Sequence, residues 1–551
     1  ERLEYVCNLH EQACSIAADA YGQYTNNLGV CLVTTGPGCT NAITGLAAGW
    51  MDSTPMLVVS GQVKRADLCH GKGTRQIGFQ EINIIPVVQS ITKYAVTVTE
   101  PESIRYHLEK AIWLAQNGRP GPSWVDIPLD VQAAEVEPNQ MSGFVPEAEG
   151  LVPDLDMETL NAKVAETLEL LSQPKRPVIL VGNGGRLSRG ERPFMHLARR
   201  LNIPVLTTWK ALDFLTEDDP LFIGRPGAVG QRYANLAQQN SDWLLMLGAR
   251  MDTGQTAYMH QYLARNAKKI MVDIDHFEIN KMNTQIDVRC PYDAGVFINA
   301  MEDQLDEKPV EVPKWKKWWE QCLSWKEQFP MVLPEYWDYE DGVSTYVLLD
   351  ILSELIKPGD LFLPGSSGAC SEVSMQTFKV KKGVRVFNSE GMGPMGFGIS
   401  ASLGACIASE NRRTVCVDGD GGFAMNTQEL ETIRRLERPI KFFVLDNNGY
   451  ASIRSTQKTY FEGRYFGSSP EGGLTLPKLQ LIAHAYDIDF VNLKFNENVR
   501  SVVENSFKSD KPVICRVEVS DKQVTKPRVK SRKNENGTME TAPMEEMWPA
   551  V

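Results

Sequence analysis

The amino-acid sequence predicts an α/β fold with three doubly wound parallel-sheet domains. Three observations support this prediction. Short apolar runs of strand length alternate with helical patterns along most of the chain, which is typical of β-α-β units. Several of these runs end in glycine-containing turns, where parallel sheets carry their ligands. The length of 551 residues corresponds to three or four compact units at about 150 residues each.

The first domain is predicted over residues 1–140. An apolar run at residues 29–35 enters the turn Gly36-Pro37-Gly38, and a second buried run follows at residues 55–61. Helical patterns follow both runs, so we expect a parallel sheet with helices on both faces. Because Glu1 is neither an initiator methionine nor part of a targeting pattern, we expect the chain to begin inside this domain.

A linker rich in Pro, Glu and Gly separates the first domain from the second, which is predicted over residues 155–310. This second domain opens with a buried run at residues 176–181 that enters a glycine turn. The third domain is predicted over residues 340–525 and contains four clear apolar runs. We assign residues 526–551, which begin polar and basic, to a separate C-terminal tail.

Charge and composition argue against several classes of partner. The chain has 57 Lys and Arg against 69 Asp and Glu, a net charge of −12. Such a surface repels polyanions, so neither a nucleic-acid partner nor a membrane partner is expected. No run reaches the roughly 18 apolar residues of a membrane span. The 11 cysteines lack paired C-x-x-C spacing, which predicts reduced thiols in a cytoplasmic protein, without a disulfide framework or zinc site.

The most informative segment is Asp418-Gly419-Asp420-Gly421-Gly422, at the end of a predicted strand. The next apolar strand ends in Asp446-Asn447-Asn448. Neighbouring strand ends of a parallel sheet face one crevice, and carboxylate and amide oxygens suit Mg²⁺. The glycines allow close approach of a diphosphate, and the following helix offers free N–H groups. Asp-Gly pairs are also common in plain turns, but the combination favours a diphosphate–metal site.

This pattern resembles the GDG…NN signature of thiamine-diphosphate enzymes, and the whole chain is most similar to their acetolactate synthase-like branch. The resemblance implies pyrimidine-binding, central FAD-type and diphosphate-binding domains, in that order. The matching segments, in chain order, are Leu9-His10-Glu11-Gln12-Ala13, Thr35-Gly36-Pro37-Gly38-Cys39-Thr40-Asn41-Ala42, Met51-Asp52-Ser53-Thr54-Pro55, Ser60-Gly61-Gln62-Val63, Phe79-Gln80-Glu81, Arg119-Pro120-Gly121-Pro122, Gly393-Pro394-Met395-Gly396-Phe397-Gly398 and Glu545-Glu546-Met547-Trp548.

The resemblance also implies the site residues. Glu11 would be the glutamate that activates the cofactor, because a carboxyl bonded to the N1′ atom stabilises the imino tautomer that removes the C2 proton. Gln62, Phe79 and Gln80 would line the substrate side. The Mg²⁺ ligands would be Asp420, the Asn448 side chain and the Tyr450 carbonyl. The remaining residues expected around thiamine diphosphate are Gly36, Pro37, Gly38, Gly393, Met395, Gly419, Gly421, Gly422 and Tyr450.

The central domain resembles the flavin-binding domain of the same branch. Its glycine turns would admit the FAD diphosphate, which Arg250 would neutralise, and Asp273 would accept hydrogen bonds from ribose hydroxyls. The alternative is an α/β domain without a nucleotide. In relatives the FAD is structural. The residues expected to bind FAD are Gly184, Gly185, Gly227, Arg250, Asp273 and Asp293.

Three positions depart from the acetolactate synthase pattern. Leu129 stands where the family has Lys, Gly254 where it has Arg and Gln457 where it has Trp. Losing cationic side chains removes groups that bind the carboxylate of a 2-keto acid acceptor. We therefore expect pyruvate, or a similar 2-keto acid, to be decarboxylated and its two-carbon unit transferred to another carbonyl acceptor such as a keto-sugar, as in the flavin-containing carboligases of branched-sugar pathways that the chain resembles.

Three other functions stay open. The first is an acetolactate (acetohydroxyacid) synthase catalytic subunit, and the second is a flavin oxidoreductase of the pyruvate-oxidase type. The third, a non-enzymatic assembly or binding subunit, is disfavoured because Glu11, Asp420 and Asn448 are all present. The family resemblance also implies a homodimer or homotetramer with its active site at the subunit interface, because Glu11 and Asp420 belong to different domains.

Overall fold

The computed structural model describes residues 3–307, 315–365, 368–520 and 522–550, except the side chains of Arg532 and Lys533. These residues form two compact units. The first unit comprises Glu1–Asp154, Gly359–Ser371 and Phe387–Val519. The second unit comprises Leu155–Pro358, Glu372–Val386 and Ser520–Val551.

The first sheet lies in the first unit. Its strands run parallel in the order β1-β2-β4-β3 once the elements are numbered along the chain. These elements are α1 (Glu11–Thr25), β1 (Gly29–Val33), α2 (Pro37–Asn41), α3 (Ile43–Asp52), β2 (Met56–Gln62), α4 (Ile84–Val88), β3 (Tyr94–Thr97), α5 (Ile104–Gln116), β4 (Pro122–Pro128) and α6 (Leu129–Gln132).

The second unit contains the central sheet. Its elements are α7 (Met157–Leu170), β5 (Pro177–Val181), α8 (Gly184–Leu187), α9 (Glu191–Leu201), β6 (Val205–Thr207), β7 (Phe222–Gly224), α10 (Arg232–Gln239), β8 (Trp243–Leu247), β9 (Lys268–Val272), α11 (His276–Asn280), β10 (Val288–Cys290), α12 (Ala294–Glu307), α13 (Lys316–Gln328) and α14 (Thr345–Leu355). The strands run parallel in the order β10-β9-β8-β5-β6-β7. Strands β5 and β8 are buried at every position, as expected for a parallel sheet covered on both faces.

Five strands of the third sheet, β11 and β13 to β16, belong to the first unit. The elements of this part of the chain are β11 (Leu361–Pro364), α15 (Ala369–Thr377), β12 (Arg385–Val386), α16 (Phe397–Ala408), β13 (Thr414–Gly419), α17 (Asp420–Phe423), α18 (Glu429–Arg435), β14 (Ile440–Asp446), α19 (Ala451–Tyr460), α20 (Leu479–Ala485), β15 (Asp489–Leu493), α21 (Val499–Lys508) and β16 (Val513–Glu518). The five strands of this sheet that lie in the first unit run parallel in the order β11-β13-β14-β16-β15.

Two small antiparallel pairs form the tail in the second unit. Strand β17 (Arg528–Val529) pairs with β20 (Met547–Trp548), and β18 (Ser531–Lys533) pairs with β19 (Met539–Thr541). Among the described residues, no helix has both the length and the apolar character needed to cross a bilayer. The prediction of three parallel-sheet α/β domains is confirmed, while the predicted domain boundaries stay predictions.

The packing of α1 against α16 joins the first and third sheets in one unit. Ile16 of α1 and Phe397 and Ala401 of α16 lie in the same buried apolar cluster. At the helix crossing, a Cβ atom on Gly404 would overlap the carbonyl oxygen of Ala17. The two helix backbones therefore come closer than any residue other than glycine allows at position 404.

We predict that Gly404→Ala destabilises the protein, because the added methyl group meets a backbone oxygen that cannot rotate away. Overpacking of this kind costs ~2 kcal/mol. Thermal denaturation of the apoprotein, at one protein concentration, should give a midpoint several degrees below the wild type. The matched control is Gly61→Ala, where the new Cβ meets only the flexible Gln132 amide at 3.4 Å. Equal midpoints for the two variants would contradict the close helix crossing.

Candidate active site

Glu11, the predicted activating glutamate, is the first residue of α1 and is half-buried. The Asn41 side chain donates a hydrogen bond of 3.1 Å to its Oε2 atom. Its Oε1 atom lies 3.6 Å from the position that a Cβ on Gly38 would occupy. The carboxylate therefore lies at the start of a helix, where negative charge is favoured, and beside the predicted cofactor-binding turn.

Gln62 is the last residue of β2 and is 4% exposed. Its Oε1 atom accepts hydrogen bonds from the Thr35 hydroxyl (2.8 Å) and the Val63 N–H (2.9 Å). Its amide nitrogen donates to the Ile82 carbonyl (2.9 Å) and to Asp126 (3.1 Å). These four bonds use the full capacity of the amide. Gln62 therefore holds the Thr35 turn in place, and this geometry does not favour direct contact with substrate.

Phe79 and Gln80 lie on a loop that reaches the same turn. Gly36 has φ +63°, and a Cβ atom there would overlap the Gln80 carbonyl oxygen. Gln80 itself has φ +61°, a conformation that is uncommon outside glycine. Phe79 is 86% exposed. The structure thus brings Glu11, Gln62 and Gln80 to one short segment, residues 35–41, and leaves the Phe79 ring outside it.

Glu81 anchors this loop, a role that we did not predict from the sequence. Its buried carboxylate accepts hydrogen bonds from the backbone N–H groups of Cys69 (2.5 Å), Ile77 (2.9 Å) and Gly78 (3.2 Å). Burial opposes ionisation, but these donors outweigh it and lower the pKa of Glu81. Only its position next to Phe79-Gln80 could have signalled this role.

Asp420 begins α17 directly after β13, and its carboxylate contacts the loop that follows β14. It accepts hydrogen bonds from the N–H groups of Gly421 (2.8 Å), Gly449 (2.9 Å) and Asn447 (3.2 Å). The sequence therefore correctly predicted that these two strand ends meet. Burial raises the pKa of Asp420 to about 6; the Gly449 hydrogen bond acts in the opposite direction, and the negative charge of Asp446 adds to the rise.

The residues around Asp420 fit a hard divalent cation. A cation would neutralise the buried Asp420 carboxylate, since the nearby Asp446 is already paired with Arg516. It would find further oxygen ligands in the Asn448 side chain and Tyr450 carbonyl. The Tyr450 carbonyl accepts the Arg454 N–H at 2.9 Å and keeps a second lone pair. Within the described residues, no three His, Cys, Asp or Glu side chains form a metal-binding group, so the ligand set would be mixed.

The predicted cofactor-binding glycines form tight contacts beside this carboxylate. A Cβ atom on Gly421 would overlap the Tyr450 ring and would lie 3.3 Å from the Met395 methyl group. Gly393, two residues before Met395, has φ +57°. The structure therefore brings Met395, Gly421 and Tyr450 together, while their binding of the cofactor stays a prediction.

Asp418 lies beneath this loop. Its Oδ1 atom accepts the Gly419 N–H at 2.8 Å, and among the described residues its Oδ2 atom has no hydrogen-bond partner. Cβ atoms on Gly365 and Gly398 would overlap the carboxyl group, and one on Gly422 would lie 2.7 Å from it. Burial raises the pKa of Asp418 to about 7. The sequence did not single out this residue.

The side chains of one aspartate and one asparagine connect the domains of the first and third sheets in the first unit. The Asp52 carboxylate, at the end of α3, accepts the N–H groups of Glu390 (3.0 Å) and Gly391 (2.9 Å). Asn426 donates to the side chain of Gln12 at 3.3 Å. The loop before Gly393 is therefore held by α3 of the first sheet's domain. The first turn of α1 is held by Asn426 of the third sheet's domain.

The second unit contains the predicted FAD residues at strand ends. A Cβ on Gly184 would lie 2.6 Å from the Gly248 Cα, so only glycine fits where the segments that follow β5 and β8 approach each other. The Gly227 turn lies beside the buried indole N–H of Trp209, which lacks a hydrogen-bond acceptor among the described residues. A free buried donor beside a glycine turn fits an oxygen-rich nucleotide.

The other predicted FAD residues have local partners. Arg250 pairs with Asp252 at 3.2 Å, and Asp273 accepts the Asp275 N–H at 3.0 Å. Gly185 packs beside the Phe214 ring. Asp293 accepts the N–H groups of the first residues of α12, and this capping role accounts for its side chain without a nucleotide.

Comparison with known proteins identifies the family. Three descriptions match: Thiamine pyrophosphate enzyme, N-terminal TPP binding domain, over residues 1–86; the central domain over residues 164–301; and the C-terminal TPP binding domain over residues 366–517. The acetolactate synthase large subunit of Cyanidium caldarium is 31% identical over 519 residues, which are 93% of this chain and 86% of the relative.

Two further relatives have similar coverage. The acetolactate synthase isozyme 2 large subunit of Escherichia coli (strain K12) is 29% identical over 530 residues, covering 96% of this chain and 90% of the relative. Acetolactate synthase 1, chloroplastic, of Zea mays is 32% identical over 537 residues, covering 95% and 80%. The chain therefore belongs to the thiamine pyrophosphate enzyme family, in the branch of the acetolactate synthase large subunits. It is a thiamine-diphosphate-dependent transferase of that type, which confirms the predicted resemblance.

We predict that Asp418→Asn changes how the stability of the metal-free apoprotein depends on pH. The carboxyl has a pKa near 7 in the fold against 3.8 for an unperturbed group, so the folded state binds more protons between these values. Wild-type stability should therefore fall as the pH rises from about 4 to about 7. Asparagine keeps an oxygen for the Gly419 N–H but cannot ionise.

The measurement is thermal denaturation between pH 5 and pH 8 in the presence of a chelator. At pH 8 Asp418→Asn should be more stable than the wild type by on the order of 1–3 kcal/mol, and the difference should shrink towards pH 5. Asp67→Asn, at an exposed aspartate, controls for the loss of one charge. Parallel pH profiles for the wild type and Asp418→Asn would contradict a buried carboxyl that titrates near neutral pH.

Proposed function

We propose that the protein decarboxylates pyruvate, or a similar 2-keto acid, and joins its two-carbon unit to a second carbonyl compound. The first candidate is the acetolactate synthase reaction, in which a second 2-keto acid is the acceptor. The observation that carries this proposal is the placement of Glu11 against the Gly38 turn, in a chain that aligns with acetolactate synthase large subunits over more than nine-tenths of its length.

Thiamine diphosphate, when bound, supplies a nucleophilic carbon and an electron sink for decarboxylation. Glu11 would hydrogen-bond to a ring nitrogen of the aminopyrimidine and hold a proton there. Asp420, Asn448 and Tyr450 would hold Mg²⁺ against the diphosphate, and Gly421 would allow its close approach. Met395, which lies beside Gly421, would pack against the cofactor.

FAD would bind in the second unit and play a structural part. The glycine contacts at Gly184 and Gly227, together with the unsatisfied Trp209 N–H, support this proposal. Arg250 would face the FAD diphosphate and Asp273 a ribose. A pyruvate-oxidase-like reaction would instead require the flavin to accept electrons from the substrate.

We further propose that the active enzyme is a homodimer or homotetramer with its active site between subunits. Large apolar side chains near the candidate site support this arrangement, because Phe79 is 86% exposed and Phe466 is 85% exposed. Helix α19, which follows the proposed metal ligands, has no buried residue. Apolar exposure on this scale is typical of surfaces that another chain covers.

A keto-sugar acceptor is the second candidate, and three replaced residues favour it. Leu129 is 54% exposed at the start of α6 and offers no charge to a carboxylate. Gln457 is held by the Phe466 carbonyl (2.9 Å) and the Ser468 hydroxyl (2.6 Å). Gly254 has no side chain. An acceptor without a carboxylate would not need the cations that these positions lack.

Product analysis distinguishes these functions. The protein would be incubated with thiamine diphosphate, Mg²⁺, FAD and isotopically labelled pyruvate, first alone and then with aldehydes, ketones and keto-sugars. We expect mass spectrometry to show a labelled two-carbon unit on an acceptor. Acetolactate from pyruvate alone would establish the first candidate, and an adduct formed only with a keto-sugar would establish the second. Anaerobic bleaching of the flavin would indicate an oxidoreductase, and no decarboxylation under any condition would contradict the proposal.

We predict that Glu11→Gln slows exchange of the C2 proton of bound thiamine diphosphate by at least ~100-fold, because an amide cannot share a proton with the ring nitrogen as a carboxyl does. The exchange rate in D₂O can be followed by NMR after acid quenching. Glu4→Gln makes the same chemical change at an exposed residue and should leave the rate unchanged. An unchanged rate in Glu11→Gln would remove Glu11 from its proposed role.

A further inference from the structure

Glu429 is a buried carboxylate with an unusual set of partners. It is the first residue of α18 and is 0% exposed. Its Oε1 atom accepts the backbone N–H groups of Leu9 (2.8 Å) and His10 (3.0 Å). Its Oε2 atom accepts the Asn8 side-chain amide (3.1 Å) and the Thr432 hydroxyl (2.9 Å). Three of its four donors therefore belong to the segment that immediately precedes Glu11.

Neighbouring residues hold the same segment at two further points. Arg435, at the other end of α18, donates to the Cys7 carbonyl at 3.1 Å. Asn426 donates to the Gln12 side chain at 3.3 Å and to the Gly396 carbonyl at 3.1 Å. The chain on both sides of Glu11 is thus tied to residues 426–435, which follow the proposed metal site in the sequence.

Burial makes these hydrogen bonds mutually dependent. A carboxylate out of water is costly unless hydrogen bonds compensate for its lost hydration, and the four donors of Glu429 are all neutral groups. Hydrogen bonds to a charged acceptor are roughly twice as strong as neutral ones. Glu429 and the segment of residues 8–10 therefore stabilise each other, and loss of the carboxylate would release the segment.

The position of Glu11 explains why such an anchor matters. Glu11 is the first residue of α1, and the first turn of a helix frays most readily because its N–H groups lack partners within the helix. The cap of α1 is His10, whose Nδ1 atom accepts the Gln12 N–H at 3.1 Å. Glu429 accepts the backbone N–H of that same His10. It therefore fixes the residue that immediately precedes Glu11.

We infer that Glu429 is a positioning residue for Glu11, holding the start of α1 so that the Glu11 carboxyl stays beside Asn41 and the Gly38 turn. This inference rests on the proposed function, in which Glu11 activates the cofactor. Glu429 itself moves no proton. It acts through geometry, and a displacement of about 1 Å at a reacting group can cost on the order of 100-fold in rate.

Two substitutions separate a positioning role from a role for the charge. In Glu429→Gln, the amide oxygen can still accept the Leu9 and His10 N–H groups. The amide nitrogen can donate to Thr432, and to Asn8 once that side chain has turned over. Glu429→Ala loses all four bonds. If Glu429 is a positioning residue, Glu429→Ala should slow C2 proton exchange by at least ~30-fold, whereas Glu429→Gln should keep the rate within ~3-fold of the wild type.

The experiment measures C2 exchange, kcat and KM for pyruvate, cofactor affinity and the denaturation midpoint in the holoenzyme. Exchange and kcat should fall together in Glu429→Ala, while KM and cofactor affinity change by less than ~3-fold. Glu431→Gln removes a charge from the same helix, at a residue whose carboxylate pairs with Arg434, and serves as the control. If Glu429→Ala does not fold, Glu429→Asp, which is one methylene too short to reach the segment, takes its place.

A double-mutant cycle gives the decisive result. If Glu429 acts through Glu11, then Glu429→Ala should slow exchange by less than ~3-fold in a Glu11→Gln background. Equal effects of Glu429→Ala on exchange in the wild-type and Glu11→Gln backgrounds would overturn the inference. Equal losses of exchange rate in Glu429→Gln and Glu429→Ala would overturn it as well. Either result would leave the proposed function intact. A lower denaturation midpoint with unchanged exchange would likewise reduce Glu429 to a structural role. An unchanged rate in Glu11→Gln alone would instead overturn the role of Glu11 and this inference with it.

Discussion

The close crossing of α1 and α16 is the constraint on which the rest of the first unit depends. Gly404 lets the two helix backbones meet at Ala17, and this contact places the start of α1 within reach of α18. Side chains from each sheet's domain can then bind backbone groups of the other, as Glu429 does for residues 8–10 and Asp52 does for residues 390–391. Without that crossing, both carboxylates would lose these donors from the other sheet's domain.

The parallel third sheet concentrates negative charge at one edge. Strands β13 and β14 pair in register, with Gly419 opposite Leu445, so the residues that follow them emerge side by side. Asp418 and Asp420 are therefore both buried at this edge, and burial disfavours their ionised forms. The half-buried Asp446 is instead paired with Arg516. Excess charge in a low-dielectric site is stabilised by a cation. The buried Asp420 carboxylate therefore fits a divalent cation on electrostatic grounds alone.

The sequence predicted what depends on short-range pattern and strand order. Apolar runs with glycine turns predicted the three sheets, and the order of strand ends predicted that Asp420 meets residues 447–449. It did not predict Glu429, Glu81 or Asp418, because each takes its role from partners that only the folded chain brings near. A glycine inside a helix, such as Gly404, has no local signature of the helix that crosses it. The family resemblance implies that Gln62 lines the substrate side, whereas its four hydrogen bonds to protein groups are visible only in the structure.

The carboxyl group of Asp418 couples the evolution of three distant parts of the chain. Gly365, Gly398 and Gly422 come from separate loops and helices, yet the same carboxyl excludes a side chain at each of them. A shorter residue at position 418 would remove every close contact of a Cβ on Gly422. The Cα atom at position 418 (3.2 Å) would still crowd a Cβ on Gly365, and the Cys416 Sγ atom (3.1 Å) would crowd one on Gly398. Alanine at position 422 should therefore be accepted in evolution only after position 418 has changed, while glycine at positions 365 and 398 is constrained twice.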